Sequence, residues 1–312
     1  MSLHFLMTKL LRGAITLLLA VTFVFIVLRA SGDPAQMMLS DEASPQAIEA
    51  FRKRWGLDGS YLEQYVTYLK AVLQGDFGDS FRDGRPALQV VMERVPVTLQ
   101  LGVTALLITL LVGIPAGIMA ALHRGKWADH AAMSFTIFGQ SVPNFFLGII
   151  LILVFSMTLR WLPSSGTGSF WHLLMPAVTL ATATAATVAR FTRSSMLDVL
   201  HQPFMRTARA KGIAHEQRVL RHALPNAAIP VVTVVGMRIG GLIGGAVTIE
   251  TVFAWPGIGM LLVNSVNQRD VAVVQAVVLL IALTMVVVNL IVDLTYGWLD
   301  PRIDLHDKKA TA

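Results

Sequence analysis

Apolar stretches long enough to cross a bilayer alternate with polar stretches along the chain. An α-helix rises about 1.5 Å per residue, so roughly 20 apolar residues cross the hydrocarbon core. This pattern predicts an all-α polytopic membrane protein with six transmembrane helices, at residues 14–28, 99–122, 131–158, 173–189, 227–249 and 271–292. A central charge is costly there, and only the fifth stretch contains one, Arg238. Pro115 and Pro143 are predicted to bend the second and third helices.

The polar segment between the first two apolar stretches has helical periodicity of its own. "SPQAIEAFRKRWGLDGS" begins with a serine cap, spaces its apolar residues at helical intervals and reaches Gly56 as a stop. "YLEQYVTYLKAVLQGDFG" repeats this design and stops at Gly75. These are predicted to be amphipathic helices on or near the membrane surface. A small packed cap outside the membrane is the alternative, and both stay open.

The charges of the loops predict the orientation. Lys9, Arg12, the loop 122–130 and the segment 190–221 are basic and fall on one side, whereas residues 31–97 contain ten acidic and seven basic residues and fall on the other. Cytoplasmic loops of membrane proteins are enriched in Lys and Arg. We therefore expect both termini to be cytoplasmic. The first apolar stretch is too long for a signal peptide and lacks a clear cleavage site, so it is interpreted as an uncleaved span.

These features divide the chain into four predicted parts. They are a cytoplasmic N-terminus with the first transmembrane helix (1–30), an extracytoplasmic segment with amphipathic helices (31–97), a five-helix transmembrane core that includes a cytoplasmic loop at 190–226 (98–300), and a cytoplasmic tail (301–312).

Composition agrees with a membrane protein and restricts the chemistry. Of 312 residues, 54% are hydrophobic and 14% charged, whereas soluble domains have about 25% charged residues. The net charge of +6 is explained by the basic cytoplasmic loops without invoking nucleic acid. The absence of cysteine excludes disulfides, thiolate metal sites and cysteine nucleophiles.

No catalytic or nucleotide-binding motif is visible in the sequence. It contains no GxxxxGK[ST] phosphate loop, no HExxH and no GxSxG. The spacing of His215 and His222 does not suit a metal site on one helical face, so we expect solvated or interface side chains. The chain is therefore predicted to be no enzyme and to hold no metal or cofactor.

The most cationic segment is "MRTARAKGIAHEQRVLRHALP", residues 205–225. Ala208 and Gly212 are four residues apart, which would place both on one helical face open to a partner's backbone, flanked by Arg206, Arg209 and Lys211. Gly212 is predicted to end a first short helix, and a second is predicted to continue to Pro225. Two short helices would form a compact cytoplasmic knob. An ordinary basic loop is the alternative.

This segment resembles the EAA loop of ABC-importer permeases, whose pattern is E-A-A, three residues, Gly, nine residues, Ile, one residue, Leu-Pro. Arg206, Thr207 and Ala208 stand at the E-A-A positions, Gly212 at the glycine, His222 at the isoleucine, and Leu224 and Pro225 at the end. Arg for Glu and His for Ile are departures, but "RTARAKG" with "RHALPNA" is similar to the variant of the peptide/nickel subfamily. The resemblance implies a coupling helix seated on an ATPase subunit, with Arg206, Thr207, Ala208, Arg209, Ala210, Lys211, Gly212, His222, Leu224 and Pro225 as coupling residues.

The resemblance extends over nearly the whole chain. "GLDGSYLEQYVTYLKAVLQGDFGDSF", "SVPNFFLGIILILVF", "WLPSSGTG", "ARFTRSSMLDVL", "GGAVTIETVFAWPGIG" and "VNLIVDLTYGWLDPRI" are similar to the B-type permease of dipeptide and oligopeptide importers. This implies a type I ABC importer permease fold in a prokaryotic cytoplasmic (inner) membrane. The implied partners are a second, homologous permease forming a heterodimer, two cytoplasmic ATPases that bind ATP and Mg²⁺, and an extracytoplasmic solute-binding protein.

Other functions stay open at this point. Nickel or a nickel chelate is the alternative substrate to short peptides, and glutathione or sugars are further options. An autonomous secondary transporter would need acidic or histidine relays within the spans, and a membrane-embedded enzyme would need a catalytic constellation; the sequence shows neither.

The fifth apolar stretch supplies the candidate pathway residues. Arg238 would help to receive a substrate carboxylate, or would pair with carboxylates or carbonyls at a subunit contact. Glycines at four-residue intervals are expected to pack helices closely or to act as a gate hinge. The segment "ETVFAWPGIG" is expected at the extracytoplasmic mouth. The hypothesised pathway and gate residues are Arg238, Gly240, Gly241, Gly244, Gly245, Glu250 and Trp255.

Overall fold

The computed structural model describes residues 3–30, 44–54, 58–80 and 82–299. Within them the chain is helical apart from turns, loops and one isolated bridge between Asp79 and Pro86, which confirms the predicted all-α class. The predicted stop at Gly56 and the tail 301–312 lie outside the described residues.

The helices follow the predicted apolar stretches closely. They are α1 (Leu3–Ala30), α2 (Pro45–Arg54), α3 (Tyr61–Leu73), α4 (Ala87–Met92), α5 (Val95–Leu122), α6 (Trp127–Ser141), α7 (Asn144–Leu151), α8 (Phe170–Leu200), α9 (Pro203–Ala210), α10 (His215–Gln217), α11 (Leu224–Val252), α12 (Ile258–Asn267) and α13 (Val271–Leu299). Wider π-helical turns occur at π1 (Ile152–Thr158) and π2 (Arg218–Ala223). In the described part of the chain, five helical stretches can cross a membrane, or six when α6 and α7–π1 count as one span.

The third predicted span is bent sharply. α6 and α7–π1 meet at an angle of 104°. The cause lies at Val142 and Pro143: the proline ring disfavours the α conformation in the preceding residue, and Val142 is extended at φ −85° and ψ 122°. The predicted bend at Pro143 is therefore a complete break. At Pro115, by contrast, α5 continues without interruption.

One unit of the fold comprises Leu99–Trp255 with the described residues from Val288 onward. Its centre is α8, which extends to Leu200, well past the predicted end at residue 189. Close contacts with α8 are made by glycines of the neighbouring helices: a Cβ on Gly113 or Gly117 of α5, or on Gly139 of α6, would lie within 3 Å of α8 atoms. Helices in lipid associate through such close packing because there is no water to exclude.

The second unit comprises Leu3–Thr98 with Pro256–Val287. Buried residues of α4 and α13 form its core, namely Ala87, Val90, Val91, Ala272, Val273, Ala276 and Val277. The Ser80 hydroxyl donates to Oδ2 of buried Asp270 over 2.6 Å. The Val273 amide donates to Oδ1 of the same carboxylate over 3.3 Å, so Asp270 caps α13 and fixes the loop before α4 to it.

The helix α3 begins and ends as the sequence predicts. At its start, Glu63 Oε2 accepts hydrogen bonds from the backbone N–H and the hydroxyl of Ser60, and these bonds lower the pKa of Glu63. The Glu63 amide donates back to the Ser60 hydroxyl, which completes a capping box. At its end, Gly75 has φ +74°, a left-handed conformation that glycine adopts without strain.

The contact of α5 with α8 gives a stability prediction. A Cβ on Gly117 would lie 2.5 Å from the carbonyl oxygen of Ala189 and 2.5 Å from Cβ of Thr192, so Gly117→Ala must separate the two helices. We expect a loss of about 1–3 kcal/mol of unfolding free energy, measured by circular dichroism during denaturation in detergent. Gly102→Ala is the matched control, because a Cβ there meets nothing within 4 Å. Equal stability of the two variants would contradict the packing.

Candidate functional site

The basic segment folds into a knob of two short helical pieces, as predicted. We define the knob as residues 203–223. Its first piece, α9, starts with Pro203 after extended Gln202, a position where the missing N–H of proline costs nothing. Its second piece is formed by α10 and π2, which lead directly into α11.

Gly212 ends α9 in a Schellman motif. The Gly212 amide donates to the Arg209 carbonyl over 3.0 Å, and the Ile213 amide donates to the Ala208 carbonyl over 3.2 Å, the bond pattern of that motif. Gly212 has φ +74°, and a Cβ there would meet nothing within 4 Å. Glycine is therefore favoured here by backbone conformation, and the predicted helix stop is confirmed.

The predicted partner-facing pair, Ala208 with Gly212, is wrong. Ala208 is buried within this chain together with Met205, whereas Gly212 lies beyond the end of α9 and is exposed. Met205 and Ala208 are three residues apart and lie on the inward face of α9. Seven residues of the coupling set are exposed, namely Arg206, Thr207, Arg209, Ala210, Lys211, Gly212 and Pro225. The surface open to a partner is therefore cationic rather than a strip of small residues.

The prediction that the second piece of the knob ends at Pro225 is wrong, because the chain stays helical into α11. Pro225 lies in the first turn of α11 and is exposed, and the chain is helical on both sides of it. His222 and Leu224 are partly buried. The side-chain amide of Asn226 donates to the His222 carbonyl over 2.7 Å, so the turn from knob into α11 is hydrogen-bonded as well as helical.

Apolar contacts fix the knob to the membrane helices. Met205, Val219 and Ala223 of the knob form a buried cluster with residues of α5, α8 and α11, namely Ala121, Met196 and Ala227. The hydroxyl of buried Ser195 in α8 also donates to the carbonyl of Ala227 in α11 over 2.9 Å. The knob, the ends of α5 and α8 and the start of α11 thus form one packed body.

A further contact at this end of the unit had not been predicted. Arg193 of α8 donates from Nε to Oδ1 of Asp129 over 2.6 Å and from Nη2 to Oδ2 over 2.8 Å. Asp129 is buried, and its Oδ2 also accepts the Gly125 amide over 3.0 Å. Together these bonds join the first turn of α6, and the loop before it, to α8. The only sequence signal was one aspartate in an otherwise basic loop, and 64 residues separate the partners.

The candidate pathway residues of α11 separate into two groups. Arg238, Gly241 and Gly244 are exposed. A Cβ on Gly241 or Gly244 would meet nothing within 4 Å, and one on Gly240 only Oδ1 of Asn289 at 4.0 Å. The expected close helix packing is therefore absent at these glycines among the described residues; it occurs at Gly245, where a Cβ would lie 3.2 Å from Leu180.

Glu250 and Trp255 form the second group, and they do not line an open surface. They are 0% and 2% exposed, and the Trp255 amide donates to the Glu250 carbonyl over 2.8 Å in the turn that ends α11. Nearby, the Gly166 amide donates to the Phe253 carbonyl over 2.9 Å. Both side chains are therefore interior to the fold of this chain, and the place of the segment 250–259 at an extracytoplasmic mouth stays a prediction.

Two ranges of the chain match known families of membrane proteins. Residues 113–305 match the binding-protein-dependent transport system inner membrane component, and residues 2–102 match the N-terminal part of the same class of membrane component. The chain belongs to this permease family. It is the inner-membrane permease subunit of an ABC importer and not an ATPase subunit. A permease of this class acts with ATPase subunits and a solute-binding protein.

Individual relatives agree with the family. The permease is 43% identical over 302 residues to the glutathione transport system permease protein GsiC of Escherichia coli strain K12, and equally to that of Salmonella typhi, covering 96% of this chain and 99% of each relative. The structure of an amino acid ABC transporter with histidines matches with TM-score 0.53 at 17% identity, covering 67% of this chain and 93% of the other. The MetNI methionine ABC transporter, in inward-facing conformations, matches with TM-score 0.53 at 18% identity, covering 67% and 96%. These structures confirm the fold.

The ion pair between α6 and α8 gives the second prediction. Replacing Asp129 with Ala in this permease leaves the mostly buried Arg193 guanidinium without its carboxylate, and we expect unfolding free energy to fall by about 1–3 kcal/mol. Denaturation in detergent measures the effect. The double variant Asp129→Ala/Arg193→Ala should lose clearly less than the sum of the two single variants. Strictly additive losses would show that the pair contributes nothing.

Proposed function

We propose that this permease imports short peptides and peptide-like solutes such as glutathione, and that a second, related permease subunit completes the pathway. The observation that supports this substrate class most directly is the exposed guanidinium of Arg238 in the middle of an apolar helix. The 43% identity to a permease named for glutathione transport over almost the whole chain supports it independently.

Arg238 is suited to receive a carboxylate. A charge in a transmembrane helix faces either protein or a water-filled cavity, and no hydrogen bond or ion pair joins Arg238 to the residues that the structure describes. Guanidinium and carboxylate pair through two parallel hydrogen bonds, and peptides have a terminal carboxylate. The same fixed cation would repel bare Ni²⁺, so the nickel alternative is disfavoured.

The open glycines of α11 supply space beside this cation. Gly241 and Gly244 have no neighbouring atoms where a Cβ would stand, so solute or the second permease can approach the backbone there. Gly240 lies about 160° from Arg238 around the helix, with Asn289 Oδ1 4.0 Å from where its Cβ would stand, and Gly245 packs on α8 in this chain. In this proposal, Arg238, Gly241 and Gly244 line the pathway, and Glu250 and Trp255 support its end from inside the fold.

The exposed cationic face of the knob is the proposed contact with an ATPase subunit. Arg206, Arg209 and Lys211 point away from the buried cluster and would pair with acidic groups around a cleft in the ATPase. ATP and Mg²⁺ bind to the two ATPase subunits and not to this chain. When ATP draws those subunits together, the knobs move with them, and the attached helices change from an inward-facing to an outward-facing pathway that accepts solute from the binding protein.

Charge reversal on the knob tests the coupling. Arg206→Glu/Arg209→Glu should reduce solute-dependent ATP hydrolysis and transport by the reconstituted transporter by about tenfold or more, because two charge-assisted contacts of about 1.5 kcal/mol or more are lost. Arg124→Glu, an exposed change of charge in another basic loop, is the control and should be nearly neutral. Wild-type stimulation in the double variant would exclude this face as the ATPase contact.

Replacement of Arg238 tests the substrate. In a deletion strain, Arg238→Gln should reduce uptake of a labelled dipeptide by about tenfold, the effect of one lost charge-assisted bond, and reduce uptake of its C-terminal amide much less. Arg238→Lys should restore part of the uptake, and co-purified subunits should show that the complex assembles.

Two outcomes would contradict the substrate proposal. Equal losses for the dipeptide and its amide, or loss of assembly, would assign Arg238 a structural role instead. Accumulation of ⁶³Ni without uptake of dipeptides or glutathione would replace peptide transport with nickel transport.

A further inference from the structure

The helix α3 has two apolar stripes rather than one. Tyr61, Tyr65 and Tyr68 lie on the first, and Leu62, Val66, Leu69 and Leu73 lie on the second. At 100° per residue, the centres of these stripes are about 100° apart around the helix. The polar residues, including Glu63 and Thr67, occupy the remaining side. A single packed face would need only one such stripe, so the second stripe requires its own explanation.

Two members of the tyrosine stripe, Tyr65 and Tyr68, pack against α1, whereas Tyr61 at the start of α3 is exposed. The hydroxyls of Thr22 and Tyr65 are hydrogen-bonded over 2.6 Å. The ring of Phe25 lies 5.1 Å from that of Tyr65, edge to face, and 5.6 Å from that of Tyr68. Such ring pairs add to the stability gained from apolar burial. These contacts fix both the position and the rotation of α3 relative to α1.

The leucine stripe is left open by this arrangement. Leu62 is 72% exposed and Leu73 is 86% exposed, and Val66 is exposed too, whereas Leu69 between them is partly buried. The side of α1 around the contact is open and apolar too, since Leu19, Phe23 and Ile26 are exposed. In a transmembrane helix such residues face lipid, so the open stripe of α3 borders a surface that lipid already covers.

The height of the contact along α1 identifies what covers the stripe. The apolar span of α1 is Met7–Val27, and Thr22 and Phe25 precede its end by about 8 Å and 3 Å at the rise of an α-helix. Interfacial helices bury their apolar face about 5–10 Å into the boundary between headgroups and acyl chains. The helix α3 is therefore held at the depth where such helices lie, and tyrosine is enriched at this depth.

We infer that α3 is a membrane-interface helix, with its leucine stripe covered by the acyl chains of the bilayer. A helix lying flat beside a span needs one face for the span and another, about a quarter-turn away, for the lipid beneath it, and the two stripes meet this need. Exposed Lys70, beside the leucine stripe, can extend its ammonium group to lipid phosphates. This inference does not depend on the transported solute.

Site-directed spin labelling tests the inference, since the chain contains no cysteine. Single variants Leu62→Cys, Leu73→Cys and Thr67→Cys would be labelled with a nitroxide in the assembled transporter in phospholipid vesicles. Thr67 is the matched control, exposed but on the polar side of α3. Collision rates would be measured with O₂, which concentrates in the bilayer, and with water-soluble chromium oxalate.

Labels at 62 and 73 should have a several-fold higher ratio of O₂ to chromium oxalate collisions than the label at 67. If all three positions give the ratio of a water-exposed site, α3 lies above the membrane and the inference is wrong. If 62 and 73 are shielded from both reagents, protein covers the stripe, and the inference is equally wrong. Two stripe positions are included so that one poorly folding variant does not decide the result.

Discussion

A cationic knob can act on membrane helices only if apolar contacts hold it to them. Met205 and Ala208 on the inner face of α9 provide this hold, together with Val219 and Ala223 from the second piece. Full burial of a side chain such as Met205 or Val219 stabilises by about 1.5–3 kcal/mol, so these contacts resist separation of the knob from α8 and α11. The same helix can therefore present arginines to a partner and transmit force through its opposite face.

The unit that contains the knob is organised around α8. Helices in lipid gain little from the hydrophobic effect, so contact distance and hydrogen bonding decide how they associate. Gly117 on α5 and Gly139 on α6 bring backbones close to α8. The Asp129–Arg193 pair and the bond from Ser195 to Ala227 then fix the end of α8 near the knob. Gly241 and Gly244 of α11 differ from these glycines, because a Cβ at either position would meet no atom within 4 Å.

Much of the fold was predictable because the bilayer imposes simple demands on sequence. Long uncharged stretches must be helices, and the glycines at 75 and 212 mark helix ends because both residues adopt positive φ. Proline was a weaker guide. Pro115 lies inside a continuous helix, whereas Pro143 follows extended Val142 and stands between two helices.

The candidate site was predicted less completely, since periodicity identifies which residues share a face but not where that face points. Ala208 was assigned to a partner because it is small and flanked by cations, yet it is buried on the same face of α9 as Met205, which packs in a cluster with Ala121 and Ala227. Glu250 and Trp255 were assigned to the mouth for the same reason, since the sequence does not show that both side chains are buried. The salt bridge of Asp129 joins helices whose pairing no local pattern indicates.

The π-helical turns between the knob and α11 have a geometric consequence for the pathway. A π-helix has more residues per turn than an α-helix, and each residue of an α-helix advances it by about 100°. The direction in which Arg238 points around the axis of α11 therefore depends on the number of residues in π2, from Arg218 to Ala223. An insertion or deletion of one residue in π2 would rotate Arg238 and the neighbouring glycines of α11 together, away from the surface that they now face.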